Sequence, residues 1–401
     1  MVINKTTKAA YLLLFTMALC FSHQVYSEES IWSKNNVPEN IAQSLSAVGI
    51  TTSSNWKHPK KDGAALEDSF ATQVFDDGFK HLNYFVRIDR FFMNKPHKCS
   101  SENLYTLVCF REDRVYEHMN GIKSQITMIL DSYPNATFII SLKPSYKNLL
   151  SKPGEVLRTR YLSKLEGSNQ VRAAYIELWK IIASIFSDIP KDNLVFNLLN
   201  EPEWENSWNA KKDWMGFSTT IIDEIRSISP QRTILVEGIK KSLSYVKGSP
   251  SDLIDKLDRD NLVYGFHYYH PYDWTHQDRV HKTKGESWKG IGNQPLPSLS
   301  LLKENMNALV DFSLRKGVPV LLSEVGVNGS CNNNGPNHND RAKYMSVVYD
   351  SLIPFGVGIT WYSLEDTSPY KRNENDCYQK TPIKLIPETK LFKALRLKPI
   401  H

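Results

Sequence analysis

Several features are missing from this 401-residue sequence, and each absence excludes a class of protein. No glycine-rich phosphate loop follows an early strand, which argues against a dinucleotide-binding sheet. No C-x-x-C motif occurs, and we predict no metal site and no cofactor. No low-complexity linker or internal repeat is found, and no segment after residue 27 is apolar enough to cross a membrane.

A strong excess of charge of one sign is also missing. The chain has 49 Lys and Arg against 43 Asp and Glu, and its net charge is +6. The basic residues are scattered, whereas a nucleic-acid partner would require a concentrated basic surface. We therefore predict no nucleic-acid partner.

The first 27 residues have the pattern of a secretory signal. An apolar stretch from Ala9 to Phe21 follows two lysines, and Ser27 offers a small residue at a cleavage point. We predict a signal peptide over residues 1–27 and a single domain over 28–401. The mature protein would be secreted or periplasmic, monomeric and without stable membrane association. A short membrane anchor is the alternative interpretation.

Four cysteines remain after the predicted cleavage, and an even number in an exported protein favours disulfides. They are Cys99, Cys109, Cys331 and Cys377. We favour the pairs Cys99–Cys109, which closes a small loop, and Cys331–Cys377, which ties two late loops together. The other two pairings stay open.

Short apolar runs alternate with longer stretches of helical period along the whole chain. Such alternation is typical of parallel β/α architecture. The candidate strands are Ser46–Ile50, Asn83–Ile88, Thr137–Leu142, Leu194–Leu199, Thr233–Val236, Leu262–Phe266, Pro319–Leu322 and Gly356–Trp361. The candidate helices are Glu67–His81, Val115–Ser132, Gln170–Phe186, Trp214–Ser227, Leu299–Arg315, Arg341–Leu352 and Glu388–Leu397. We predict a (β/α)8 TIM barrel with enlarged loops at its C-terminal face; a doubly wound open sheet is the alternative.

Polar residues collect at the ends of these strands, where a barrel carries its catalytic groups. They are Arg87, Asn200, Glu201, His267, Tyr269, Glu324 and Trp361. Glu201 and Glu324 would face each other across the barrel mouth. Two carboxylates on a rigid scaffold are what cleavage of a glycosidic bond requires. A buried arginine such as Arg87 needs a carboxylate partner.

The chain resembles glycoside hydrolase family 5, the cellulase-like barrels, through five stretches in the order of that family. They are YFVRID, NLLNEP, GFHYYHPY, LLSEVG and ITWYSLED. The resemblance extends from Val48 to Leu397. It implies a retaining endo-β-glycanase acting on a polysaccharide or oligosaccharide, with β-1,4-glucan as the expected substrate. The alternatives are a β-mannanase or another β-glycosidase of the family, and a non-hydrolytic carbohydrate-binding barrel.

The resemblance also implies a role for each strand-end residue. Glu201 would be the acid/base and Glu324 the nucleophile, kept ionised by Arg87 and hydrogen-bonded by Tyr269. His267 would set the protonation of the pair. Asn200 would bind the 2-hydroxyl of the sugar and Trp361 would lie beneath it.

Lys143 departs from the family, which usually has a histidine at that place, and Ser141 stands where an aspartate is common. We expect Lys143 to bind substrate and to affect which sugar fits. Trp204 and Trp208 would either bind sugar or pack a loop. We treat Glu237 and Glu365 as background acids. The alternative interpretation of His267, His270, His276 and His281 is a metal cluster.

Overall fold

The computed structural model describes residues 30–52, 68–92, 105–144, 157–204, 209–239, 254–275, 281–283, 286–288, 295–327, 336, 338–363, 370–371, 386–387 and 389–398. The predicted signal segment, Trp208, His276, Cys99, Cys331 and Cys377 lie outside these residues. Cys109 lies buried at the end of a 3-10 turn, Leu107–Cys109. The cysteine pairing and the signal peptide stay predictions.

Eight parallel strands form a closed barrel in chain order, which confirms the predicted fold. The strands are β1 (Val48–Thr51), β2 (His81–Arg87), β3 (Thr137–Lys143), β4 (Leu194–Asn197), β5 (Thr233–Glu237), β6 (Leu262–Tyr268), β7 (Val320–Val325) and β8 (Gly358–Tyr362). Each strand pairs with its neighbours in sequence, and β8 closes the barrel on β1.

Helices surround the barrel, and those predicted from periodicity are all present. In chain order the α-helices of the described residues are α1 (Ile31–Lys34), α2 (Glu39–Leu45), α3 (Asp68–Asp76), α4 (Glu112–Ser132), α5 (Leu157–Gly167), α6 (Asn169–Ile185), α7 (Ala210–Ile228), α8 (Tyr272–Thr275), α9 (Leu299–Lys316), α10 (His338–Leu352) and α11 (Thr389–Ala394). The prediction for α3 ran too far. The helix ends at Asp76, Gly78 takes a φ of 95°, and His81 begins β2. None of the helices in the described ranges could span a membrane.

The main core lies between the barrel and its helices. Helix α6 illustrates why this layer forms, because its apolar residues recur every three or four positions and so share one face. On that face Trp179 stacks 5.3 Å from Phe196 of β4. Ser168 begins the helix by accepting a hydrogen bond from the backbone N–H of Val171.

A second core closes the N-terminal end of the barrel. Helices α1 and α2, which the sequence analysis did not predict, pack Trp32, Ile41 and Leu45 against the inward side chains of five strands. Those side chains are Ile139, Val195, Leu235, Val263 and Leu321. The floor of the barrel is therefore apolar and closed, which leaves the opposite end for chemistry.

Two glycines allow this floor to pack. A Cβ on Gly49 would lie 2.0 Å from the ring of His81, and a Cβ on Gly358 would lie 1.5 Å from the carbonyl oxygen of Leu45. His81 Nδ1 donates to the carbonyl of Ser44 (2.9 Å), and its Nε2 lies 2.8 Å from the hydroxyl of Thr360. Burial lowers the pKa of His81 to about 4, so the floor contains a neutral imidazole.

Candidate active site

Glu201 lies just after β4, at the C-terminal mouth of the barrel. The segment after β4 is held to α6 by a hydrogen bond that Trp179 Nε1 donates to the carbonyl of Leu198 over 3.1 Å. The backbone of Glu201 then takes a left-handed φ of 52°, which is uncommon for a residue with a side chain. This turn raises the carboxyl into the mouth, where its side chain is 12% exposed.

Glu324 lies in β7, across the mouth, with a side chain that is 4% exposed. The hydroxyl of Tyr269 donates to its Oε2 over 2.7 Å. Its Oε1 accepts no hydrogen bond from the described residues. The tyrosine therefore holds one oxygen of the carboxyl, while the other has no hydrogen-bond partner among the described residues.

His267 connects the two glutamates. It pairs with Glu324 across β6 and β7, next to a register shift after Phe266. Such irregularities redirect side chains and are common beside active sites. Nδ1 of His267 lies 3.1 Å from Glu201 Oε1 and 3.5 Å from Glu324 Oε2. One atom each of Glu201, His267 and Glu324 lies within 4.8 Å of the others.

Charges around His267 set its protonation. Burial alone would lower the pKa of this imidazole, but the carboxylates of Glu237, Glu324 and Glu201 together raise it well above 6.5. The ring is therefore protonated near neutral pH. A protonated imidazole carries a hydrogen on both ring nitrogens and can donate to the surrounding carboxylates, so this group of three suits proton transfer.

The pKa of Glu324 responds to the same surroundings. Burial raises it above its usual 4.5, the charges of His267 and Lys143 lower it, and those of Glu201 and Glu237 raise it further. Burial, together with the charge of Glu324, also raises the pKa of Tyr269 well above 10. Tyr269 therefore stays protonated and remains a hydrogen-bond donor to Glu324.

A third carboxylate lies beneath the pair. Glu237 ends β5, and its Oε2 accepts a hydrogen bond from the backbone N–H of Glu201 (2.8 Å). The same oxygen lies 3.1 Å from Nε2 of His267. Asn197 and Ser323 donate to Oε1 over 2.8 and 3.3 Å. We expected Glu237 to be a background acid, whereas it contacts both Glu201 and His267.

Lys143 and Tyr362 form the neighbouring wall of the mouth. The ammonium of Lys143 lies 4.5 Å from the ring centroid of Phe85 and 5.0 Å from that of Tyr362. Lys143 Nζ donates weakly to the Tyr362 hydroxyl at 3.4 Å, and no described carboxylate lies within 4.0 Å of it. The ring of Tyr362 also meets that of Tyr269 edge-on, with 6.3 Å between centroids.

The family model "Cellulase (glycosyl hydrolase family 5)" matches residues 43–368, which includes all eight strands and the groups described above. The chain belongs to glycosyl hydrolase family 5.

Known proteins similar to this family 5 chain include two endoglucanases. Endoglucanase 3 of Fibrobacter succinogenes is 24% identical over 276 residues, which is 66% of this chain and 36% of that protein. Endoglucanase A of Paenibacillus barcinonensis is 21% identical over 246 residues, or 56% of this chain and 60% of that protein. The chain thus matches less than two thirds of the length of either relative.

Among solved structures, Cel5A of Thermotoga maritima shares the fold. In complex with cellobiose it aligns with a TM-score of 0.63 at 18% identity, over 89% of this chain and 99% of that one. Its complex with mannotriose aligns with a TM-score of 0.60 at 19% identity, with the same coverage.

The structure corrects the placement of Trp361 in this family 5 chain. We expected Trp361 beneath the bound sugar, but its side chain is 0% exposed and belongs to the core between barrel and helices. Side chains alternate along a strand. Thr360, which contacts His81, faces inward, and so does Tyr362, whose ring lies beside Lys143. Tyr362 therefore occupies the position that we assigned to Trp361.

The structure also corrects the role of Arg87. We expected its guanidinium beside Glu324, but it forms a salt bridge with Asp89 at 2.7 Å. Asp89 lies only two residues further along the chain, so this pair forms locally. Among the described residues, the cations whose charge lowers the pKa of Glu324 are His267 and Lys143.

Trp204 packs a loop and does not form a sugar platform. Its side chain is 2% exposed, its ring centroid lies 5.0 Å from that of Trp214, and its Nε1 donates to Asp213. Asn200 lies fully buried next to Glu201, and its predicted contact with the sugar stays a prediction. Its side-chain amide makes no hydrogen bond with the described residues, whereas its backbone N–H donates to Leu142.

Proposed function

We propose that this protein is a retaining endo-β-glycanase that hydrolyses O-glycosidic bonds, with β-1,4-glucan as its substrate. The supporting observation is the pair Glu201 and Glu324, which have oxygens within 4.8 Å of each other. Such a close approach is compatible with the carboxyl separation of about 5–5.5 Å in retaining enzymes, which is shorter than the about 6.5–9.5 Å that inverting enzymes need to admit a water. The membership of family 5 agrees with this assignment.

In the first half of the reaction, Oε1 of Glu324 attacks the anomeric carbon. Tyr269 and His267 hold Oε2 from the other side and share its negative charge. As the glycosidic bond breaks, Glu201 gives its proton to the departing oxygen. A glycosyl-enzyme ester then joins the sugar to Glu324.

In the second half, Glu201 acts as a base. It removes a proton from water, and the resulting hydroxide displaces Glu324 from the anomeric carbon. Two inversions give net retention, and Glu201 regains the proton that it lost. The protonated ring of His267 stabilises Glu201 while that residue is a carboxylate between the two steps.

Asn200 and Tyr362 fit the sugar at the cleavage point. The amide of Asn200 is buried and unpaired among the described residues, so a hydroxyl of the sugar would satisfy it. We assign it to the 2-hydroxyl, where hydrogen bonds strengthen in the transition state. Tyr362 presents an aromatic ring to the same space, and Lys143 contacts the substrate from β3.

A β-mannanase is the second candidate. Glucose and mannose differ at the 2-hydroxyl, next to Asn200, and the structurally similar Cel5A is described in complex with both cellobiose and mannotriose. The N-terminal signal pattern supports secretion or a periplasmic location, so a polymer outside the cytoplasm is a suitable substrate.

A panel of purified glucans and mannans, with product sizing, tests this proposal. We expect new reducing ends and internal cleavage on β-1,4-glucan, with activity lost in Glu201→Gln and in Glu324→Gln separately. Asp311→Asn, an exposed carboxyl on α9, is the control and should keep full activity. Binding without cleavage by the wild type would indicate a carbohydrate-binding barrel. Preference for mannan would select the second candidate.

A further inference from the structure

Glu237 has more hydrogen-bond and ion-pair partners than any other described carboxylate of the barrel mouth, and the proposed mechanism gives it no role. It is 2% exposed, and its two oxygens face four different partners. A Cβ on Gly265, in the neighbouring strand, would lie 2.8 Å from its Cγ. The sequence therefore leaves space for this side chain by placing glycine opposite it.

One oxygen of Glu237 contacts both the backbone of Glu201 and the ring of His267. The hydrogen bond from the Glu201 N–H fixes a residue whose left-handed backbone is disfavoured for any residue with a side chain. Nε2 of the imidazole lies 3.1 Å from this oxygen as an ion pair, and Nδ1 lies 3.1 Å from Oε1 of Glu201. Asn197 and Ser323 hold Glu237 itself in place.

We propose that Glu237 is a positioning residue, which fixes the carboxyl of Glu201 and directs the Nδ1 hydrogen of His267 to it. This inference builds on the proposed function, because it assumes that Glu201 is the acid/base. Glu237 does not reach the substrate; it acts through the two residues that it contacts.

The charge of Glu237 also matters for His267. The titratable groups that face this ring are Glu201 from the end of β4, Glu237 from β5 and Glu324 from β7. Glu237 makes the leading contribution that raises the pKa of His267. With the ring charged, Nδ1 always carries a hydrogen, which stabilises Glu201 after that residue has given up its proton.

Glu237→Gln tests the proposal, since it keeps the shape and removes the charge. Histidine-labelled protein would be titrated by NMR, with His267→Gln used to assign the signal. We expect His267 to stay protonated through neutral pH in the wild type and to titrate at lower pH in Glu237→Gln. This measurement requires no substrate, so it stands even if the protein proves not to be a glycosidase.

Kinetics supply the second readout. A cellobioside with a poor leaving group needs the proton of Glu201, whereas a dinitrophenyl cellobioside does not. Glu237→Gln should lower kcat/KM about a hundredfold for the first substrate, within the range of general acid catalysis, and far less for the second. His81→Gln, which alters the opposite end of the barrel, controls for lost stability and should change both substrates equally.

An unchanged titration of His267 together with equal losses on both substrates would overturn the role of Glu237. Failure of the wild type to cleave either cellobioside would instead overturn the proposed function. The two failures are therefore distinguishable.

Discussion

Tyr269 donates its hydroxyl hydrogen to Oε2 of Glu324 over 2.7 Å, on the oxygen opposite the one that accepts no hydrogen bond from the described residues. The carboxyl is thereby oriented, because the tyrosine fixes one oxygen, whereas the described residues donate no hydrogen bond to the other. This asymmetry is what a nucleophile needs if it is to attack from a defined direction.

Tyr269→Phe should therefore weaken catalysis without removing the carboxyl. A hydrogen bond to a charged group contributes about 1.5–3 kcal/mol, so kcat/KM should fall roughly 10- to 100-fold. The acid limb of the pH profile should also move to higher pH, because an ionised Glu324 loses a donor. A pH profile that matches the wild type would refute the assigned contact.

Lys143→Met should raise the pKa of Glu324. The positive charge of Lys143 lowers that pKa, and its removal makes ionisation harder. Since only the ionised carboxylate attacks, the acid limb of kcat/KM should shift to higher pH. Lys143→Arg keeps the charge and is the matched control. If Met and Arg variants had identical pH profiles, Lys143 would have no electrostatic role.

Trp361 and Tyr362 are neighbours on β8 that should respond to mutation in different ways. Tyr362→Ala should raise KM or lower kcat, because its ring faces the proposed sugar position. Trp361→Phe should lower the free energy of unfolding by about 1–3 kcal/mol and leave kcat/KM unchanged, because Trp361 packs in the core. The reverse pattern would restore our original assignment of Trp361 to the substrate.

His81 should make the barrel floor sensitive to acid. Its pKa is about 4 in the folded protein against 6.5 for an ordinary histidine, so the unfolded chain binds the proton more readily between these values. Stability should fall by about 3 kcal/mol as the pH drops through this window, and no further below it. In denaturant unfolding, the free energy of unfolding of His81→Gln should fall by about 3 kcal/mol less than that of the wild type over the same pH window. Parallel curves for the two proteins would contradict the burial of a neutral His81.

The strands were predictable because each is a short apolar run followed by polar residues. Glu201 and Glu324 could be found for the same reason. Helices α1 and α2 were not predicted, since four and seven residues are too few to show a helical period. They form through contact with the barrel floor, which the local sequence does not reveal.

Two predictions at the site were wrong. One concerned which side chain of β8 faces the barrel interior, and the other concerned which carboxylate pairs with Arg87. Trp361 and Tyr362 are adjacent, and only the register of β8 against β1 decides which one faces inward. Arg87 found a nearer carboxylate in Asp89. Glu237 did carry a signal, because it follows the apolar run TILV just as Glu201 and Glu324 follow theirs.

The central claim is that Glu324 forms a covalent bond with the sugar. The most direct measurement is to treat the protein with a 2-deoxy-2-fluorocellobiosyl fluoride, which slows the second step, and to map the labelled peptide by mass spectrometry. We predict a single adduct on Glu324 in the wild type, and none in Glu324→Gln. An active enzyme that carries the label on another residue, or that releases a product of inverted anomeric configuration, would contradict the account.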